Sequence, residues 1–190
     1  LNILISGPAC CGKTTILYAI LRDYYKLKRN DPIPENNILF INNLKEQGIN
    51  YYRNEMKTFC QSRCSIYGKK KLIIVDDLDM ISDQCQQVFR NYIDKYKNNI
   101  QFVSVCTTVQ KVIESIQSRL HIMHMEMPCH ETVRSIMNEI IDKEHLPLHE
   151  DAKEYILTFS NYNVREVINY LEKLFILKKV KKLKQLLIII

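Results

Sequence analysis

Eight consecutive residues, Gly7-Pro8-Ala9-Cys10-Cys11-Gly12-Lys13-Thr14, followed by Thr15, fit the pattern G-x-x-x-x-G-K-[ST] at every fixed position. An apolar strand-like run, Asn2–Ser6, precedes them, and an amphipathic helical pattern, Lys13–Tyr25, follows. Strand, glycine loop and helix in that order commit the chain to an α/β fold built around a P-loop. The chemistry accounts for the residue types. Gly7 and Gly12 allow a tight turn whose amides face phosphate oxygens, and the following helix adds its positive N-terminal end. Lys13 reaches the β- and γ-phosphates, and the Thr14 hydroxyl can ligate magnesium. The whole run from Gly7 to Thr15, with Pro8, Ala9, Cys10 and Cys11 in the turn, is the candidate site for ATP with Mg2+. A glycine turn with a chance lysine is the plainer reading, and the flanking strand and helix disfavour it.

A phosphate loop needs an acidic counterpart, and Leu72-Ile73-Ile74-Val75-Asp76-Asp77 supplies a buried strand ending in two carboxylates. The carboxyl ends of parallel strands face the ligand crevice. Asp76 is therefore expected to hold the magnesium through water, alongside Thr14. Asp77 is expected to orient or activate the attacking water.

Short β-branched runs alternate with longer helical patterns along the first two thirds of the chain. Strands are expected at Asn2–Ser6, Asn37–Asn42, Lys71–Asp77, Phe102–Thr107 and Ile122–Met127. Helices are expected at Lys13–Tyr25, Asn50–Cys64, Ser82–Tyr96 and near Lys111–Gln117. Near-continuous apolar strands separated by helical crossovers imply a parallel sheet of five strands, covered by helices on both faces. After Pro128 only helical patterns follow, at Glu131–Glu144, Glu150–Phe159 and Val164–Lys178. The expected organisation is an ATPase core over 1–127, a small all-helical lid domain over 128–177, and a basic, apolar tail over 178–190.

Bulk properties narrow the class rather than the function. Hydrophobic residues make up 46% and charged residues 25%, as in ordinary soluble proteins, and the net charge of +6 suits nucleotide or nucleic-acid partners only weakly. Cys60 and Cys64, completed by Cys85 or by His121 and His124, give one close pair where tightly spaced zinc sites show two. The seven cysteines are read instead as reduced, mostly buried thiols of an intracellular protein. No apolar run reaches the ~20 residues that span a bilayer, so no membrane partner is expected. Leu1 already sits in a strand pattern and 186–190 is an apolar run, so the sequence is expected to be part of a longer chain. Heavy use of Asn, Ile, Lys and Tyr fits an AT-rich genome, such as that of a large DNA virus or a protist.

From Asn2 to about Leu177 the chain resembles the AAA+ ATPases, and within them the small subunits of replication factor C, the eukaryotic and archaeal clamp loader. Ile74-Val75-Asp76-Asp77-Leu78-Asp79 is similar to the family's Asp-Glu-Ala-Asp box, and Asp83–Arg90 to the Gln-rich helix after it. Asn43–Ile49 is similar to the family's Ser-Asp-Glu-Arg-Gly-Ile loop. Cys106–Leu120 resembles the stretch from sensor 1 to the Ser-Arg-Cys motif, and Asn163-Val164-Arg165-Glu166 the start of the sensor 2 helix.

The resemblance implies roles. Thr107 takes the sensor 1 position, Arg119 is the arginine finger for the neighbouring subunit's ATP, and Arg165 is the sensor 2 arginine on the γ-phosphate. It further implies other clamp-loader subunits in a hetero-oligomeric ring or spiral, a sliding clamp, and primer-template DNA gripped through its phosphate backbone. The setting would be intracellular: the nucleus in a eukaryotic cell, or the replication site of a virus. Departures qualify this. Asp77 stands where the family has glutamate and is one methylene shorter, which implies slow or absent hydrolysis. Thr107 replaces the sensor 1 asparagine, and Leu120 replaces the cysteine of Ser-Arg-Cys. The adenine-contacting N-terminal segment and the C-terminal collar are missing, so this stretch alone is expected to bind ATP and assemble poorly. The competing functions are a nucleotide-binding structural subunit that donates Arg119 and hydrolyses nothing, and another AAA+ protein of DNA metabolism. The basic run Lys178–Lys184 reads as a solvated helix face rather than a DNA contact. Tyr24-Tyr25 and Tyr51-Tyr52 read as packing residues rather than base-stacking ones.

Overall fold

The computed structural model describes residues 1–28, 30–41 and 49–187, with the side chains of 49–52, 55 and 179–187 outside that description. Most of Asn43–Ile49, the Tyr51 and Tyr52 rings, nearly all side chains of the basic run, and the end of the apolar tail therefore lie outside the described residues. The chain forms two compact units, Leu1–Glu126 and Met127–Ile190.

The first unit runs β1 (Ile3–Ser6), α1 (Lys13–Tyr25), β2 (Ile38–Ile41), α2 (Ile49–Gln61), β3 (Lys71–Val75), α3 (Asp83–Lys95), β4 (Ile100–Cys106), α4 (Glu114–Gln117) and β5 (His121–His124). All pairings are parallel, and the five-stranded sheet has the order β2-β3-β4-β1-β5. Hydropathy sets that order. In β3 every residue is buried, and burying each large aliphatic side chain stabilises by ~1.5–3 kcal/mol. Such a strand belongs inside the sheet. β5, with His121 and His124 exposed, takes one edge, and β2, with Phe40 40% exposed, takes the other.

The pleat divides the apolar residues between two layers. Leu4, Ile73, Val75 and Phe102 face a cluster with Met56, Phe89, Ile93 and Ile116 from α2, α3 and α4. Ile5, Leu72, Ile74, Val103 and Val105 face the opposite way, onto Leu17, Leu21 and Tyr25 of α1. Tyr25 is a packing residue: its hydroxyl lies 3.1 Å from the Asn37 carbonyl and 3.0 Å from that of Lys70, and its ring meets Tyr24 edge-on.

Some boundaries differ from the sequence expectation. β3 ends at Val75 because Asp77 takes a left-handed conformation (φ 52°), which turns the chain immediately after the strand. The helix expected near Lys111–Gln117 divides into a 3-10 turn, Val109–Lys111, and the single-turn α4. β5 starts one residue early and stops at His124 rather than Met127.

The second unit holds α5 (His130–Lys143), α6 (Glu150–Phe159) and α7 (Val164–Leu187) around Val133, Met137, Ile141, Leu157, Val167 and Leu171. Asn161 and Tyr162 both take positive φ, 48° and 54°, and make the turn that the polar cluster there signals. α7 continues past Lys178 through the basic run to Leu187, because lysine and leucine are good helix formers.

Each cysteine is a free thiol, and burial pushes Cys60 up to about 12, which disfavours the thiolate that a metal needs. Among the described residues no group of three or more His, Cys, Asp or Glu is placed to hold a metal, and no helix is long and apolar enough to cross a membrane. Phe89 on α3 is 1% exposed in the layer beneath the acidic strand. Phe89→Ala should therefore cost about 3–5 kcal/mol, read as a drop in denaturation midpoint at unchanged slope.

Candidate active site

Parallel pairing brings three loops to the carboxyl edge of the sheet. β1 pairs with β4 at Ser6↔Cys106, and β4 pairs with β3 at Val75↔Ser104. The glycine loop after Ser6, the Thr107-Thr108 turn after Cys106 and the Asp76-Asp77 turn after Val75 are thus neighbours.

The loop itself is held by close contacts. A Cβ on Gly7 would stand 2.5 Å from the Met125 carbonyl oxygen and 3.0 Å from Cys11 Sγ, so only glycine fits where β5's outgoing chain crosses. Gly12 has φ 95° and Cys10 φ 66°. Alternating left-handed residues of this kind turn successive amides inward, the arrangement that cradles anions. Ser6 Oγ and His124 Nδ1 lie 2.6 Å apart and tie β1 to β5 just below the loop.

α1 opens directly from this loop without an acidic residue in its first turn and without a side-chain cap. α3, α5 and α6 each carry Asp or Glu there. The positive end of α1 is thus left for an external anion. Lys13 is buried, and its Nζ donates to the carbonyls of Gly7 and Pro8, each at 2.8 Å. That leaves one of its three N–H donors for another acceptor. Thr14 and Thr15 are exposed at the start of α1.

The acidic turn faces this loop. Thr14 Oγ1 donates to Asp76 Oδ2 at 3.5 Å, which places a hydroxyl and a carboxylate side by side. Hard oxygen donors in that pairing fit Mg2+, which keeps several waters and takes one or two protein ligands. Asp77 is held up from the usual carboxylate range by burial, then by the charges of Asp76 and Asp79, with Lys13 opposing. Cys106, beneath them, is pushed up to about 11 by burial and by Asp79, again against Lys13.

Two residues without a role in the sequence reading tie these turns together. Asp79 Oδ2 accepts from the amides of Thr107 (3.1 Å) and Thr108 (2.9 Å) and so fixes the end of β4 to the acidic turn. Gln86, completely buried, donates to the carbonyls of Leu78 (3.4 Å), Ile81 (2.9 Å) and Lys111 (3.0 Å), and accepts from Ile113 N (2.9 Å). A signal for Gln86 exists: it occupies i of an i, i+3, i+7 apolar stripe with Phe89 and Ile93, and a polar residue on such a stripe needs buried partners. Asp79 is visible only as the last acid of its box.

Not every candidate lies at this edge. Thr107 does, exposed at the end of β4. Arg119 lies two residues before His121, which starts β5 opposite Ile3 and donates its amide to Asn2 O at 2.8 Å. It therefore sits at the amino edge, separated from the glycine loop by the length of a four-residue strand, roughly 13 Å. There Arg119 Nε donates to Asp94 Oδ1 at 2.7 Å. Arg165 belongs to the second unit, exposed in the first turn of α7, where its amide donates to Asn163 Oδ1 at 3.0 Å.

A family model described as AAA domain matches residues 2–129. Replication factor C subunit 2 of Arabidopsis thaliana is 27% identical over 175 residues, covering 92% of this chain and 51% of the relative. Replication factor C small subunit 2 of Pyrobaculum islandicum is 31% identical over 173 residues, covering 90% and 52%. The chain spans about half the length of the curated relatives it matches. Among solved structures, domain III of the Thermotoga maritima replication initiation protein DnaA matches with a TM-score of 0.69 at 17% identity, covering 95% of this chain and 78% of that one. A DNA polymerase III gamma subunit-related protein of the same organism gives 0.58 at 19%, covering 77% and 48%. At those identities the likeness is one of fold.

The Gly7 contact is open to test. Gly7→Ala should push the loop off Met125 and weaken binding of a fluorescent ATP analogue by ~10-fold or more, about 1.4 kcal/mol. Gly68→Ala, where a Cβ meets nothing within 4 Å but the φ of 73° strains it, should lower stability somewhat and leave that binding unchanged.

Proposed function

The chain belongs to the AAA domain family, and from that premise we propose that it is the ATP-binding and ATP-hydrolysing part of a subunit of a DNA sliding-clamp loader. The observation that carries the enzymatic half is the meeting of Lys13, Thr14, Asp76 and Asp77 at one sheet edge, on the open N-terminus of α1. The clamp-loader half is supported by relatives named replication factor C subunits over nine tenths of the chain.

In this reading the loop amides from Ala9 to Thr15 and the Lys13 ammonium bind the triphosphate, the Gly7 amide being given to the Cys106 carbonyl. Thr14 and Asp76 would hold Mg2+, which would supply positive charge against the phosphates. Asp77 accepts the proton of the attacking water, a task that its raised pKa favours because a stronger base takes the proton more readily. Thr107, fixed through its own amide by Asp79, presents a hydroxyl to the same space. Arg119 serves the ATP of an adjoining subunit, and Arg165 reports the γ-phosphate to the helical unit. Partners in this reading are other loader subunits in a ring or spiral, the sliding clamp, and the phosphate backbone of primer-template DNA. The setting is a DNA replication compartment, nuclear in a eukaryote.

A second reading has a specific observation behind it. Asp77 is shorter than the family's glutamate, and its left-handed backbone fixes where its carboxylate starts. A subunit that binds ATP, donates Arg119 and turns over slowly or not at all is the alternative.

Turnover by the full assembly, with clamp and primer-template DNA present, decides between them. Under the clamp-loader reading clamp and DNA stimulate hydrolysis, and Arg119→Ala lowers it by ~10-fold or more. An assembly indifferent to clamp and DNA sinks the clamp-loader reading and leaves an ATPase. The pH profile tests Asp77 separately. Protonation disables a base, and its pKa is raised, so kcat should fall on the acid side at a pH above the ordinary aspartate range. Asp77→Asn should abolish turnover attributable to this subunit; unchanged turnover would establish the structural-subunit reading instead.

A further inference from the structure

Arg119 is held by two elements at once. Its Nε donates to Asp94 Oδ1 at 2.7 Å, across from α3, and its Nη1 donates to the Ser115 carbonyl at 2.6 Å, one turn back. A longer contact joins Nη1 to Ser118 Oγ at 3.4 Å. A guanidinium has five N–H donors in one plane, so one bond at Nε and one at Nη1, on different flanks of that plane, fix the orientation of the rest. The Nη2 edge donates to nothing among the described residues. It is the part of the side chain left for an external acceptor.

Asp94 stands near the C-terminal end of α3, on a helix whose position is set by Phe89 and Ile93 in the core beneath. Its carboxylate is thus a fixed point, while Arg119 alone is a long chain of freely rotating bonds. Arg90 and Lys97 also stand close enough to favour its charge, yet among the described residues only Arg119 bonds it. That bond, ahead of the surrounding charges, holds the Asp94 carboxyl below the usual range, so the pair is intact at neutral pH. The side chains keep 30% and 50% of their exposure, and ion pairs so open to water add little to stability. Its consequence is therefore geometric.

We propose that Asp94 is the positioning residue for Arg119, holding the guanidinium by its Nε so that the Nη2 edge is presented to the triphosphate of the adjoining subunit. The inference rests on the reading of Arg119 as a residue acting in trans. A finger that is already oriented gives up less freedom when it meets the phosphate, and the saving appears in the rate rather than in ATP binding.

The test uses the full-length protein in the assembly it forms in its own cells. Steady-state ATP hydrolysis is measured for Asp94→Ala, Arg119→Ala and the double variant, with thermal unfolding and assembly size read in parallel. Asp94→Ala is expected to lower kcat by about 5-fold, less than full loss of the finger, with KM for ATP within about 2-fold. The double variant should turn over no more slowly than Arg119→Ala alone, because Asp94 acts only through that arginine. Melting temperature and assembly size should not change. A kcat within 2-fold of the parent overturns the proposal. So does a further loss in the double variant, or a fall in kcat that tracks a lower melting temperature or a broken assembly. If Arg119→Ala itself leaves turnover unchanged, the trans reading of Arg119 fails and this inference goes with it.

Discussion

The parallel run of β3, β4 and β1 is the constraint on which the site depends. Three strands pointing one way deliver three successive loops to one edge, and pairing at Ser6↔Cys106 and Val75↔Ser104 sets how far apart those loops stand. Reverse any one strand and its loop moves to the far side of the sheet. The direction is enforced by burial on both faces. Leu72 and Ile74 pack against α1 while Ile73 and Val75 pack against α2 and α3, so neither face can turn to water. Crossover helices are the connections that satisfy both demands.

Within that frame, polar bonds decide the finer placement. Leaving a buried amide or carbonyl unpaired costs on the order of 1–3 kcal/mol, so the groups that pair them act as pins. Asp79 pins the Thr107 and Thr108 amides to the acidic turn, and Gln86 pins that same turn to Lys111 and Ile113. The chain from Asp76 to Ile113 is thereby one connected piece around the edge. Asp79 Oδ1 is buried without a partner among the described residues, which is tolerable where the other oxygen accepts two hydrogen bonds.

The frame was largely legible and the pins were not. Apolar runs and glycine spacing are local signals, so α1 and α6 fall on their expected residues and the strands fall within a few. The exclusion of a Cβ at Gly7 by Met125 O joins positions 118 residues apart, and no local pattern carries it. The sequence reading assigned Gly7 to turn flexibility, whereas crowding is the restriction the structure shows there. α3 illustrates both cases. Gln86 breaks an apolar stripe and so advertises buried partners. Asp94 lies on a solvated face where an acid is unremarkable, and only the fold brings it to Arg119. The sequence pattern ends the last helix at Lys178 and reads the basic run after it as a separate solvated helix face; the structure joins the two into α7, since lysine and leucine both extend a helix readily.

Geometry also limits how this fold can be used in company. The glycine loop stands at the carboxyl edge of the sheet and Arg119 at the amino edge. An arginine at one edge cannot serve a phosphate at the other within the same rigid sheet. It can serve a second subunit stacked so that one amino edge meets the next carboxyl edge. Such an interface uses different surfaces on the two partners, so a stack keeps one unused amino edge at one end and one unused carboxyl edge at the other. The contact propagates, closing into a ring or remaining an open spiral, whereas a two-fold dimer would have to place both edges in a single patch. Under the proposed trans role of Arg119, its placement before β5 calls for head-to-tail assembly, in which each ATP would be coupled to its neighbour's position.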